Sequence, residues 1–258
     1  MHSLEDPLDV LDYDAFDLID HASALGYHVL ALTLHRRLFF PPELAQYAQS
    51  RGILLIPGIE AYLDRKEVLL FGVNPNDLIG LKTLNDLRAL KKSGTELLVI
   101  APHPFYGFPQ CVGDQLETFS DVFDALEYCH FYTPWWNPNL KAEKVAQKLG
   151  KPMIACSDTH QLKWMKEHYT LLDADPTITS IFAAIRAGLL KNVTRPLTNA
   201  ELIQKLTWHI AHEPQRILRR FGWVQRPAYS TRKAASILPE KENYQFSFSQ
   251  TMRQSDRR

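Results

Sequence analysis

The sequence predicts an α/β fold with a mainly parallel sheet, because short apolar runs alternate with amphipathic segments over its first 200 residues. The apolar runs have the length of buried strands, and the amphipathic segments repeat apolar residues at helical spacing. This alternation is typical of βα units and parallel strands. Periodicity leaves open whether the sheet is open or closed, and we find no internal repeat.

The first half of the chain contains two predicted helices and three predicted strands. The helices span 14–25 and 43–50, and a glycine ends each of them. The apolar runs at 28–33, 53–56 and 68–73 predict strands. We expect the strand at 53–56 to end at Pro57-Gly58, because this dipeptide is a strong turn signal.

The second half continues the alternation. Strands are predicted at 97–101, 125–129 and 153–156, and helices at 81–92, 140–149, 180–190 and from 199 onward. After Trp223 the apolar pattern is lost. We therefore predict a main domain over 1–198, a helical extension over 199–225 and a flexible tail over 226–258.

Composition narrows the class of protein. The 258 residues carry no net charge, which gives no sign of a nucleic-acid or membrane protein, but residues 214–258 hold a net charge of +7 and the body a net charge of −7. No apolar run approaches the ~20 residues of a membrane span. The three cysteines have no metal-binding spacing, and we expect a cytoplasmic protein without disulfides.

Metal-ligand residue types follow five of the predicted strands. The side chains concerned are His35, Glu60, His103, His130 and the pair Asp158 and His160. The C-terminal ends of parallel strands lie on one face of a fold, which carries the active site. Any one of these residues alone could be structural, but together they predict one convergent site.

A mixed set of imidazoles and carboxylates suits two or three divalent ions, namely zinc, manganese or iron, with magnesium also possible. A carboxylate such as Glu60 can bridge two ions about 4 Å apart. Clustered metals activate water and hold phosphoryl oxygens. The pattern therefore predicts a metal-dependent phosphoesterase.

Taken together, the motifs resemble those of the PHP family, named for polymerase and histidinol phosphatase. The resemblance runs in order over residues 1–195. The matching segments are Met1-His2-Ser3, Thr33-Leu34-His35, Pro57-Gly58-Ile59-Glu60, Ala101-Pro102-His103-Pro104 and Ser157-Asp158-Thr159-His160.

The resemblance implies a distorted seven-stranded β/α barrel with a trinuclear metal cleft, in which a metal-bridging hydroxide attacks phosphorus. By position, His2, Glu60 and Asp158 are expected to hold the first metal. Glu60 is expected to bridge to a second metal held by His103, with His130 as a further ligand.

The same resemblance places His35 and His160 on a third metal, with Asp6 as an additional candidate. Asp158 and His160 are the expected catalytic residues, and a metal or His160 would assist the leaving oxygen.

Three departures from the family pattern bear on the site. Met1 stands where the first histidine of the opening motif is expected, so we expect a start upstream or a missing ligand. Leu34 replaces an aspartate, and Arg36 with Arg37 follows, where both could contact a substrate phosphate or simply be solvated. His130 stands where asparagine is common in small nucleotide-acting members.

The expected substrate is a phosphorylated metabolite, a nucleotide or the end of an oligonucleotide. Tyr132, Trp135 and Trp136 could stack on a base or sugar, or could serve loop packing alone. The oligomeric state is not predicted. We expect the turnover of a small substrate to be independent of residues 226–258.

Two other functions stay open at this point. A degenerate barrel could bind metal or phosphate ligands without turnover, as the altered motifs at Met1 and Leu34 suggest. A metal-dependent hydrolase of C–N bonds is the third alternative, but no lysine follows a predicted strand in the position expected of a metal-bridging residue.

Overall fold

The computed structural model describes residues 1–220. The strands are β1 (Val29–Leu32), β2 (Leu54–Leu63), β3 (Lys66–Phe71), β4 (Leu98–Ala101), β5 (Ala125–Cys129), β6 (Met153–Cys156), β7 (Tyr169–Leu172) and β8 (Leu190–Val193). The α-helices are α1 (Ala15–Ala24), α2 (Pro42–Ser50), α3 (Leu84–Lys92), α4 (Gln115–Thr118), α5 (Asn139–Leu149), α6 (Ile178–Ala187) and α7 (Asn199–Arg220). Short 3₁₀ helices span Pro75–Leu78 and Leu162–Glu167.

Six strands form one curled half-barrel sheet in the order β1-β2-β3-β4-β5-β6. The pairs β1–β2, β4–β5 and β5–β6 are parallel, whereas β3 is antiparallel to both of its neighbours. β7 and β8 form a separate antiparallel pair. The α/β prediction is confirmed, with six strands in the main sheet of the described residues where seven had been expected.

The first residues lie between the two edges of the sheet. The carbonyl oxygen of Met1 accepts a hydrogen bond from the backbone N–H of Thr33, just past β1, at 2.9 Å. The N–H of His2 donates to the carbonyl oxygen of Thr159, just past β6, at 3.3 Å. These bonds place His2 at the end of the sheet where β1 and β6 terminate.

The helices begin and end as their sequences predict. Asp14 caps α1 by accepting from the N–H of Asp17, whose side chain returns a bond to the Asp14 N–H. Gly150 and Gly188 end α5 and α6 in the left-handed conformation that glycine tolerates. Phe182, on the buried face of α6, packs with Ile56 and Ile100 of the sheet in one apolar cluster. Helix burial thus supports the strands that carry the site.

One predicted boundary is wrong. β2 continues through Pro57-Gly58 to Leu63, so Glu60 lies within a strand and not beyond its end. A Cβ atom at Gly58 would lie 3.1 Å from the carbonyl oxygen of Leu32. The glycine therefore permits close strand packing here instead of making a turn, and the chain reverses later, at Asp64 and Arg65.

No helix within residues 1–220 is long and apolar enough to span a membrane. α7 occupies Asn199–Arg220 of the range predicted as a helical extension, and the division into a main domain and an extension stays a prediction. The remainder of its predicted range and the predicted tail at 226–258 lie outside the described residues.

Candidate metal centre

Imidazole and carboxylate groups from distant parts of the chain meet at one end of the curled sheet. Eight residues form three overlapping groups. Within each group, the candidate ligand atoms lie within 4.8 Å of one another. The groups are His2, Asp6, Asp9 and His35; His2, Asp158 and His160; and His35, Glu60 and Glu67. Six of the eight residues expected from the sequence as metal ligands belong to these groups. His103 and His130 do not, and Asp9 and Glu67 are additional.

Asp6 orients two of the histidines. Its Oδ2 atom lies 2.9 Å from Nδ1 of His2 and 3.1 Å from Nδ1 of His35. Its Oδ1 atom accepts backbone N–H bonds from Leu8 and Asp9, which fix the carboxylate. A carboxylate on one ring nitrogen leaves the opposite nitrogen for a metal. The Nε2 atoms of His2 and His35 are therefore the ones available as ligands.

Glu60 lies between two sets of imidazoles. Its Oε2 atom is 3.4 Å from Nε2 of His2 and 3.7 Å from Nε2 of His35, while its Oε1 atom is 3.9 Å from Nε2 of His103. The side chain is buried. Burial alone would raise the pKa of Glu60, but the charges of His35 and His2 outweigh it and lower the pKa. Glu60 thus has the position and charge of a bridging ligand.

The segment after β6 places Asp158 and His160. Oδ1 of Asp158 lies 3.1 Å from Nε2 of His2. Nδ1 of His160 lies 2.9 Å from the carbonyl oxygen of Asp158, so Nε2 is the ring nitrogen that faces the other candidate ligands. Asp158 and His103 both have positive φ angles, 39° and 29°, which non-glycine residues rarely adopt. Such strain is common at functional sites.

Asp9 is a candidate ligand that the sequence analysis missed. Its Oδ2 atom lies 2.9 Å from Nε2 of His160 and 3.3 Å from Nδ1 of His35. Both carboxylate oxygens are buried, and neither has hydrogen-bond geometry with any partner among residues 1–220. Oδ1 also lies 2.8 Å from Nη2 of Arg216 in α7. A buried carboxylate that faces two imidazoles in this way fits a metal ligand.

A second part of the centre surrounds His103. Nε2 of His103 lies 3.7 Å from Oε2 of Glu67 in β3. The backbone N–H of His103 donates to the buried carboxylate of Glu127, at 2.6 Å. Burial, only partly offset by His103, raises the pKa of Glu127 to about 7. Glu127 therefore fixes the loop that carries His103, and Glu67 adds a carboxylate to the same side of the centre.

The donor set fits divalent metals. Imidazole nitrogens and carboxylate oxygens are the ligands preferred by zinc, manganese and iron ions. The buried carboxylates of Asp6, Asp9 and Glu60, together with the partly exposed carboxylate of Asp158, place several negative charges within a small volume, next to imidazoles that can be neutral ligands. Divalent cations would neutralise this charge. His2, which is expected to share the first metal with Glu60 and Asp158, lies 3.4 Å from the Glu60 carboxylate and 3.1 Å from that of Asp158.

Arg36 and Arg37 lie close to the centre but make other contacts. The guanidinium of Arg36 lies over the ring of Tyr62, 4.1 Å from its centroid. Nη1 of Arg37 donates to the carbonyl oxygen of Glu5 at 2.8 Å. Their contact with a substrate phosphate stays a prediction. Arg216, which the sequence analysis left in the helical extension, is the arginine that touches a candidate ligand.

The aromatic loop after β5 makes packing contacts with neighbouring parts of the chain. Trp136 meets Tyr106 edge to face with ring centroids 5.5 Å apart, and Tyr132 is buried. Trp135 is exposed, and its Nε1 donates to the side chain of Asn199 at 3.1 Å. Tyr132 therefore has a packing role, whereas Trp135 and Trp136 are both exposed and their stacking on a base or sugar stays a prediction.

An open cavity of about 360 Å³ lies against the centre, and α7 forms its opposite wall. Glu60, His103 and Asp158 line the metal side, while Lys205 and His209 line the helix side. The rings of His160 and His209 lie 5.8 Å apart. The spacing of apolar residues predicted the helix α7. The same spacing did not indicate that polar side chains of α7 face the site.

The comparisons with known proteins agree with this geometry. Residues 136–190 match the family model described as PHP-associated. No curated protein matches the chain in sequence. A two-domain protein from Bacteroides vulgatus, described as containing a predicted PHP-like metal-dependent phosphoesterase, is similar in structure with a TM-score of 0.59 at 18% identity; the match covers 81% of this chain and 67% of that one.

A second solved structure, PsfC from Pseudomonas syringae, gives a TM-score of 0.54 at 15% identity, covering 83% of this chain and 96% of that one. At such identities the likeness concerns the fold. The matched segment at 136–190 runs from the aromatic loop through β6 to β8 and includes Asp158 and His160. The shared fold and this match confirm that the chain resembles the PHP family.

Proposed function

We propose that this protein hydrolyses phosphate esters with the help of two or three divalent metal ions. The observation that carries the proposal is the position of Glu60, whose two oxygens face different imidazoles at the wall of an open cavity. A carboxylate in this position can join two ions into one cluster. The PHP-like fold supports the same class of reaction.

The chain's own residues would do three things. His2, Glu60 and Asp158 would hold one ion, and Glu60 with His103 and Glu67 would hold a second. When bound, divalent metals lower the pKa of water and offset charge on the phosphoryl oxygens. Nε2 of His160 faces the same cluster and would either bind an ion or give a proton to the leaving oxygen.

Replacing Glu60 by glutamine tests the proposal, because the substitution keeps the shape and removes the bridging charge. We expect kcat for phenyl phosphate hydrolysis with Mn²⁺ to fall by more than about 100-fold, the upper end of the losses seen for hydrogen-bond partners of metal ligands. Glu117→Gln is the matched control, since Glu117 is exposed and pairs with Lys148 far from the centre. Both variants should keep the wild-type circular dichroism.

Three outcomes are informative. Loss of turnover in Glu60→Gln alone supports the proposal. Equal turnover in all three proteins overturns the role of Glu60. A wild-type protein that binds metal but hydrolyses no member of a panel of phosphorylated metabolites and short oligonucleotides would be the binding protein that the altered motifs suggested.

A further inference from the structure

We propose that Lys205, His130 and Trp164 bind a second anionic group of the substrate, separate from the phosphate that is cleaved. This inference rests on the proposed function, since it concerns the same cavity. The substrate would then be a phosphate ester that carries another phosphate or a carboxylate.

The first observation is the burial of Lys205 without an ionic partner. The side chain projects from α7 into the cavity, and the residue is only 6% exposed. Its Nζ atom lies 4.5 Å from the centroid of the Trp164 ring. It makes no hydrogen bond or ion pair with any of residues 1–220. A cation–π contact supplies no hydrogen-bond acceptor, so the three N–H groups of the ammonium have no acceptor within the described part of the chain.

The second observation is that the neighbouring polar atoms are also nitrogens without partners. Nε1 of Trp164 and Nδ1 of His130 are buried and have no hydrogen-bond partner within the described part of the chain. Both residues line the same cavity as Lys205. The indole N–H can only donate, and the imidazole nitrogen donates when it carries the proton. Together with the ammonium group they form a site rich in donors.

His168 contacts the ring of His130. Its ring lies 5.7 Å from that of His130, and its Nδ1 is 2.7 Å from the hydroxyl oxygen of Thr194. When Thr194 donates to Nδ1, the proton of His168 is on Nε2, which also has no partner among residues 1–220. His168 does not line the cavity of Lys205, so the donors that reach this cavity are those of Lys205, Trp164 and His130.

The charge of the cluster suits an anion. Burial, followed by the charge of Lys205, lowers the pKa of His168 to about 4, and the same two causes hold the pKa of His130 well below its usual value. Burial lowers the pKa of Lys205 to about 8, so that near neutral pH the positive charge is on Lys205. Asp158, Cys129, Glu167 and Glu201 are the groups that oppose this shift, and none of them forms an ion pair with Lys205 within residues 1–220.

The size and lining of the cavity leave room for a second group beside the cleaved phosphate. A volume of about 360 Å³ is in the range of sites for small organic ligands. Carboxylates and imidazoles of the metal centre line one side, where the cleaved phosphate would meet the metals. His130, like His103, lies outside all three candidate metal groups. Unlike His103, it forms no ion pair with Glu60 or Glu67 within the described residues, and its partnerless Nδ1 lies in the wall of the cavity that Lys205 lines.

Two non-hydrolysable probes test the inference in full-length protein loaded with Mn²⁺. Phenylphosphonate carries one anionic group, and carboxyphenylphosphonate, used as its meta and para isomers, carries two. We expect the wild-type protein to bind the better carboxylated isomer at least about tenfold more tightly in calorimetry, as for a hydrogen bond to a charged group. Lys205→Met should abolish this preference and Lys205→Arg should retain it.

Lys191→Met is the matched control, because Lys191 is exposed on β8 and carries the same charge. Retention of the preference in this variant with loss in Lys205→Met supports the inference. No preference in the wild type, equal preference in Lys205→Met, or equal loss in both methionine variants overturns it. Because the probes are not hydrolysed, absence of phosphatase turnover would contradict the proposed function without changing this result.

Discussion

Oδ2 of Asp9 lies 2.9 Å from Nε2 of His160, which joins the loop before α1 to the segment after β6. The same carboxylate contacts Arg216 of α7 through its other oxygen. Asp9 therefore connects the loop before α1 with both the segment after β6 and α7. Its role in holding metal can be tested separately from that of Glu60.

Asp9→Asn should lower metal affinity, because the amide removes the negative charge that faces His160 and His35. We expect a loss of about 10- to 100-fold in Mn²⁺ affinity, measured by competition with a fluorescent chelator. Asp12→Asn is the control, since Asp12 is exposed in the same segment. Equal affinity in both variants would remove Asp9 from the centre.

Asn139→Ala should destabilise the fold. The side chain of Asn139 accepts from the N–H of Cys129 and donates to its carbonyl oxygen, both at 2.9 Å, and the group is buried. Leaving two buried backbone groups unpaired costs about 2–4 kcal/mol. Urea unfolding measures the loss, with exposed Asn85→Ala expected within about 0.5 kcal/mol of wild type. A small effect at Asn139 would mean that other groups replace its bonds.

Gly72→Ala should cost more than Gly94→Ala. Both glycines have positive φ, 80° and 89°, so each alanine adds strain of about 1 kcal/mol. At Gly72 a Cβ atom would also lie 2.9 Å from the carbonyl oxygen of Glu96 and from the ring of Phe182, whereas the space around Gly94 is open. Overpacking adds about 1–3 kcal/mol at Gly72. Similar urea midpoints for the two variants would show that Phe182 moves away without cost.

Arg195→Met should loosen α7 from the body. The Arg195 guanidinium contacts Glu167 of the 3₁₀ helix and lies 2.6 Å from Glu201 in α7. These partly exposed pairs stabilise the fold by only about 1 kcal/mol. Hydrogen exchange should nevertheless speed up across α7, and the preference for the carboxylated phosphonate should weaken. Lys148→Met, which breaks an exposed pair elsewhere, should leave both unchanged.

The preference for the carboxylated probe should depend on pH. The pKa of Lys205 is lowered by burial to about 8, so the side chain is charged below that pH and neutral above it. The preference should therefore be full near pH 7 and disappear at alkaline pH, with a midpoint above 8 because a bound anion raises the pKa. Lys205→Arg should remove this dependence, since arginine stays protonated. An unchanged alkaline loss in the arginine variant would assign it to another group.

The strands and helices could be predicted where local pattern and tertiary structure agree. β5 and β6 have the predicted bounds, because their apolar runs are buried in the sheet. β7 and β8 were missed, since they form a small two-stranded sheet with a weak apolar pattern. The Pro57-Gly58 signal was misleading because packing against β1, and not a turn, requires the glycine.

The candidate site could be predicted only in part for a related reason. Ligand types that follow parallel strands gave His103 and Asp158, because the fold brings strand ends together. The same rule gave Glu60 although this residue lies within β2, where the strand passes the end of β1. Asp9 lies in an irregular loop, and Glu67 lies in an antiparallel strand, so neither follows that rule. Lys205 and Arg216 depend on how α7 docks, and a helical pattern does not show which element faces its polar side chains.

Metal stoichiometry is the most direct test of the convergence on Glu60. Elemental analysis of the purified full-length protein, after equilibration with Mn²⁺ or Zn²⁺ and removal of unbound ions, should give at least two metal equivalents per chain. The Glu60→Gln variant should lose more than one of them, because one carboxylate serves both ions. A single equivalent or none in the wild type, or the same content in the variant, would contradict a metal cluster at this site.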